Sequence, residues 1–185
     1  MFEKFVTTFG EIQNKQEIPR DALNSIQKHL PEDLFSFIEI GAGSYMNGFL
    51  WTVNPVEYKQ MLDEVYVPLQ EPSICFARDG FGGLYIWEDT SVIYVDINHS
   101  RQEVLGRKAN VFFDLKMTDS GFLDKKLPYN KYLEAKENLG DLASDECFGY
   151  QPLLGLGGSE KSENLRIVKV KEYVSIISQA MGKIQ

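Results

Sequence analysis

The spacing of apolar residues changes partway along the chain. Up to about residue 70 they recur at intervals of three and four, and from about Pro72 they alternate. Phe2, Phe5, Val6 and Phe9 share one helical face, which predicts a short helix ending near Gly10. Ala22, Leu23, Ile26 and Leu30 give a second helix from near Pro19, and Pro31 restarts the chain. Glu32 and Asp33 suit the first turn of a third helix, because carboxylates are favourable at the positive end of the helix dipole. Leu34, Phe37 and Ile38 are its inner face, and Gly41 ends it. Tyr45–Thr52 is rich in aromatic residues and reads as one strand with Gly48 as a bulge. Asn54-Pro55 opens a further helix whose apolar stripe is Tyr58, Met61, Leu62 and Val65.

Beyond Pro72, Ile74–Arg78, Leu84–Glu88 and Val92–Asp96 are strands at hairpin spacing, so the sheet is antiparallel. Gln102–Leu105 and Val111–Leu115 are further strand candidates. Tyr132, Ala135, Lys136 and Leu139 are helical, and Pro152–Gly158 is a loop or short strand. Val170–Ala180 closes the chain as a helix with a Tyr173, Val174, Ile177, Ala180 stripe. The predicted class is α+β, an antiparallel sheet packed by helices from both ends of the chain. Two subregions sharing one core are expected, a mainly helical 1–70 and a 71–185 part holding the sheet and terminal helix. Their soft boundary lies at Pro68–Pro72.

Composition narrows the partners. Hydrophobic residues at 43% support a sizeable core, and the net charge of −8 argues against non-specific binding to nucleic acid or anionic membrane. The excess is concentrated in residues 1–70, with ten Asp/Glu against five Lys/Arg. Glu32, Asp33, Glu57, Asp63 and Glu64 are therefore the candidate partner-binding residues, facing a basic protein. The first twenty residues lack the basic start and apolar run of a signal peptide, and no stretch approaches the ~18 apolar residues of a membrane span. A cytoplasmic protein is expected, with Cys75 and Cys147 reduced and Cys75 in the core.

Chemistry is sparse. His29 lies on a helix, and His99 lies in the turn Asp96-Ile-Asn-His-Ser-Arg101. Asp96 and His99 are too few for a metal or acid–base site, so neither metal nor cofactor is expected, and an enzymatic role resting on them is the weakest reading. No Gly-x-Ser-x-Gly nucleophile elbow occurs. Gly80–Gly83 falls between strands, where a turn needs glycine. Gly155, Gly157, Gly158, Ser159 and Lys161 form a possible ligand loop for a phosphate, without the phosphate-loop spacing. A small-ligand regulatory protein using that loop is the alternative to a binding protein.

Trp51-Thr-Val-Asn-Pro55 with Glu57-Tyr58, followed by Ala77-Arg-Asp-Gly-Phe-Gly-Gly-Leu-Tyr-Ile-Trp87, resembles a bacterial arrangement. It is similar to a GAD-like domain followed by the C-terminal domain of type VI secretion immunity proteins. The tail Phe148-Gly-Tyr-Gln-Pro-Leu-Leu-Gly-Leu-Gly-Gly-Ser-Glu-Lys-Ser-Glu-Asn-Leu165 resembles the end of the second domain. The resemblance implies a non-enzymatic antitoxin. Such a protein binds a cognate toxin, a DNase effector in the characterised case, and neutralises it in the producer's cytosol.

Overall fold

The computed structural model describes residues 1–185. Its spine is a seven-stranded antiparallel meander in chain order. The strands are β1 (Gln13–Gln16), β2 (Ala42–Tyr45), β3 (Leu50–Thr52), β4 (Ile74–Asp79), β5 (Leu84–Glu88), β6 (Ser91–Asp96) and β7 (Arg101–Gly106). A separate hairpin pairs β8 (Glu146–Tyr150) with β9 (Leu165–Lys169). The helices are α1 (Glu3–Phe9), α2 (Arg20–Gln27), α3 (Glu32–Glu39), α4 (Pro55–Val65), α5 (Ser120–Lys126), α6 (Tyr129–Leu139) and α7 (Val170–Met181).

The central strands are apolar at almost every position because both sheet faces are covered. Tyr85, Trp87, Val92 and Tyr94 point into the larger core, with residues from α1, α2, α3, α5 and α6. Leu84, Ile86, Ile93 and Val95 point the other way, into a smaller core closed by α4 and α7. The helices thus come from both ends of the chain, as the pattern predicts. β3 pairs with β4 through Leu50↔Asp79, Trp51↔Arg78 and Thr52↔Ala77, so the sheet runs unbroken past residue 70. The chain end is also tied in: Val67 donates to the Ile184 carbonyl and Ile184 to that of Val65.

Two predicted segments differ. Tyr45–Thr52 is not one strand but part of a hairpin, β2 and β3 around a turn at Met46–Gly48. Gly48 sits there at φ 89°, where a side chain is strained. Val111–Lys116 is a π-helix rather than a strand. A strand would send Phe112 and Phe113 to opposite faces, whereas the widened turn buries both rings in the larger core. Of the two predicted alternatives for Pro152–Gly158, the structure has the loop, with a 3₁₀ turn at Leu154–Leu156. The spacing also passes over β1, whose four residues are polar and exposed, along with α5 and the β8–β9 hairpin. Trp51 and Trp87 are 3% and 8% exposed, which places both in the core.

Candidate functional site

The five acidic candidates do not form one patch. Glu32 and Asp33 open α3, which packs into the larger core, while Glu57, Asp63 and Glu64 lie on α4, which packs into the smaller core on the opposite sheet face. α4 itself is fixed by its sequence: the Asn54 side chain accepts from Val56 N–H at 3.1 Å, and Pro55 takes the first helical position. Glu57 is exposed, and the Asn54 amide donates to it at 2.9 Å. Asp63 and Glu64 are half-buried, engaged by Lys59 and by Gln60 respectively. The two ends of α4 serve different hollows. Glu57 lines one with Trp51 and Tyr58, whereas Asp63 and Glu64 line a polar groove against Ser175, Ser178 and Gln179 of α7.

In the glycine loop, the N–H groups of Leu156, Gly157, Gly158 and Lys161 are spent on carbonyls of the loop itself. A Cβ on Gly158 would lie 2.1 Å from the Pro152 carbonyl oxygen, so close backbone packing accounts for that glycine. Ser159 receives the Asn164 amide, and Lys161 is exposed.

Arg78 escapes notice in the sequence except as part of a motif. It is fully buried at the end of β4, with its guanidinium 5.0 Å from the Trp51 ring centroid. Its Nε donates to Tyr58 Oη at 3.2 Å, Nη1 to the Asp79 carbonyl at 3.0 Å and Nη2 to the Ser144 carbonyl at 2.8 Å. An arginine closing an otherwise apolar strand is the available signal, since such a residue needs partners wherever both sheet faces are covered. Burial raises the Tyr58 phenol, and the guanidinium offsets part of that rise. Asp79 turns the other way. It accepts from Phe81 and Gly83 N–H and from Tyr94 O–H at 2.6 Å, and burial lifts its carboxyl to about 6. Cys75 and Cys147 are free and buried in the smaller core, where desolvation pushes each thiol up to about 12. No group of three or more His, Cys, Asp and Glu residues is placed to hold a metal ion.

Comparison with known proteins supplies the family. Residues 1–101 match the GAD-like domain, and residues 107–181 match the T6SS immunity protein Tdi1, C-terminal family. The chain belongs to the GAD-like family, joined to a type VI secretion immunity domain. Membership carries an immunity role and points to binding rather than catalysis. The fold is shared with the crystal structure of Atu4351 from Agrobacterium tumefaciens. That structure is 20% identical with a TM-score of 0.78, over 97% of this chain and 89% of the other. No curated protein sequence matches at a significant level. No helix is long and apolar enough to cross a membrane.

The GAD-like match runs past Pro68–Pro72 to the start of β7, and beside that junction lies a second charged hollow of about 640 Å³. Asp96 accepts from Arg101 Nε at 3.0 Å and lies 2.9 Å from His99 Nδ1, while His99 Nε2 is 3.3 Å from Glu160 of the glycine loop. Lys131 of α6 reaches the same Glu160 at 2.5 Å. Burial pushes the Asp96 carboxyl up, but the His99 and Arg101 contacts outweigh it and hold it below its ordinary value. The Asp96 hydrogen bond raises the His99 imidazole. Of these contacts, His99 to Glu160 joins the last turn of the GAD-like match to the immunity region, while the others lie within one region.

Proposed function

We propose that this immunity-domain protein acts by stoichiometric binding to a cognate secreted toxin, a nuclease of basic surface, and that α4 supplies part of the docking face. The observation carrying this reading is the family match over both parts of the chain. The concentration of acid in the first 70 residues supports a basic partner, since opposite charge speeds encounter and fixes register. Of the five acidic candidates, Glu57, Asp63 and Glu64 are grouped on one helix, beside open hollows on either side. Glu32 and Asp33 lie across the sheet and take no part in the same contact.

Incubating the chain with the toxin encoded beside it and a DNA substrate tests the reading. Protection at equimolar ratio and a complex on gel filtration are expected. Unimpeded cleavage at molar excess with no complex would reject it. The docking face is tested by Glu57→Lys with Glu64→Lys. Association should slow and lose much of its salt dependence, with stability moving by no more than about 0.5 kcal/mol. An unchanged on-rate at low salt would move docking away from α4.

A further inference from the structure

Arg78 is fully buried, and no carboxylate is among its hydrogen-bond partners. All three of its hydrogen-bond acceptors are neutral, and the acidic side chain next to it, Asp79, is committed to Tyr94 and two backbone N–H groups. Buried cations are ordinarily matched by an anion, because desolvating an isolated charge is expensive.

The residues that touch this guanidinium also open onto space. Trp51, Tyr58 and Ser144 all line a cavity of about 430 Å³ between β3, α4 and the start of α7. The residues that contact the guanidinium thus also line the cavity. Tyr58 is the group best placed to relay the charge. Its oxygen accepts from Arg78, and its own O–H donates to no group in the structure. Its raised pKa keeps that proton in place at neutral pH. The rim has the opposite sign. Glu17, Glu57 and Glu172 stand there with Lys171, while Lys169 and Asp145 are paired with each other at 2.7 Å.

A bare anion would be repelled at such a rim, and a bare cation would meet the buried charge at the floor. A compact zwitterion with its carboxylate leading satisfies both. The volume falls in the usual range for a small-molecule pocket, and the Trp51 indole offers an apolar wall. We propose that this cavity is a binding site for a free α-amino acid. Its carboxylate accepts from Tyr58 O–H in front of Arg78, and its ammonium group faces Glu57. The site shares Glu57 with the proposed docking face, and the test below is made on the free chain, so its outcome does not depend on whether the toxin docks there.

The test is an NMR titration of the full chain with each proteinogenic amino acid to roughly 10 mM, within reach of a millimolar dissociation constant. The readout is the indole N–H signal of Trp51, assigned with Trp87→Phe. At least one amino acid should shift that signal saturably while Trp87 stays still, and its methyl ester should fail to do so. Tyr58→Phe keeps the ring and the packing, so an otherwise unchanged spectrum verifies the fold. It should weaken binding about tenfold or more, because a hydrogen bond to a charged group is lost. Glu57→Gln should weaken it as well. No saturable shift of Trp51 with any amino acid, equal binding of acid and ester, or undiminished affinity in Tyr58→Phe would each overturn the assignment.

Discussion

The two faces of the sheet are closed by different means. On the larger face Phe113 lies at the centre of an aromatic cluster, with ring centroids 4.3 Å from Phe2, 5.2 Å from Phe5 and 4.6 Å from Phe37. Those rings come from Phe2 and α1, from α3 and from the π-helix, segments separated by up to 111 positions in the chain, Phe2 to Phe113. On the smaller face two longer helices, α4 and α7, lie side by side over mostly aliphatic side chains. Both covers join the GAD-like region to the immunity region, one through many short pieces and one through a single helix pair. Each core draws side chains from both parts of the chain.

The bluntest way to break that picture is to cut it. A fragment of residues 1–70 keeps β1–β3 but loses β4, the partner of β3, and loses Phe113 and α7 from the two cores. It should show no cooperative melting transition by circular dichroism. A soluble fragment with a sharp transition would show that the first part has a sufficient core of its own.

Point substitutions compare the faces more finely. Phe113→Ala should cost about 3–5 kcal/mol in urea unfolding, and Ile177→Ala should fall near the low end of about 2–5 kcal/mol. The difference follows from position. Phe113 is fully buried among rings that cannot all collapse into the gap, whereas Ile177 lies near the end of a surface helix flanked by the exposed Ile176. Both variants should shift one common transition, because β4, β5 and β6 contribute side chains to both cores. If Phe113→Ala frees the amides around the aromatic cluster while α4 and α7 stay protected from hydrogen exchange, the faces are energetically separate.

The same contrast explains what could be read from the sequence. α4 and α7 follow the predicted bounds closely because each is a long amphipathic helix with clear start or stop residues, Asn54-Pro55 for one and Gly182 for the other. The strands β4, β5 and β6 stand out through apolar residues bounded by turn residues. On the larger face α1, α2, α3 and α6 show a helical period, and the remaining pieces do not. The π-helix carries the β-type run Val111-Phe112-Phe113, and β1 is polar throughout and exists through its pairing with β2. Of the candidate docking residues, the acidic positions on α4 were legible from helical spacing. Their separation from Glu32 and Asp33 depends on which sheet face each helix covers, and that is a tertiary fact. The unmatched charge of Arg78 was hidden for the same reason.

The smallest expected effect separates the faces by pH. The buried titratable groups of the smaller core, Cys75, Cys147, Tyr58, Tyr66 and Tyr173, are all raised by burial, the two thiols to about 12, and stay protonated through the neutral range. On the larger face, desolvation lifts Asp79 from 3.8 to about 6, against the pull of Tyr94 and two N–H donors. A carboxyl whose pKa is higher folded than unfolded favours the folded state most below pH 3.8. That contribution declines as pH rises and is gone above about 6, where folding must bury the charged form. Two pKa units set an upper bound of about 3 kcal/mol on the change. Asp96 and Glu160 are shifted down instead, so they act with the opposite sign, losing stability only at pH below the ordinary carboxylate range. The window between pH 4 and 6 therefore isolates Asp79. Asp79→Asn keeps an oxygen for the Phe81 and Gly83 N–H groups and an amide that can donate to the Tyr94 oxygen, but it cannot ionise. Its stability relative to the wild type should rise from pH 4 to about pH 6 and level off above that, with the gain read from urea midpoints at each pH. Parallel curves for the two proteins across that range would mean that Asp79 titrates alike in the folded and unfolded chains, and that the larger face is no more sensitive to pH than the smaller.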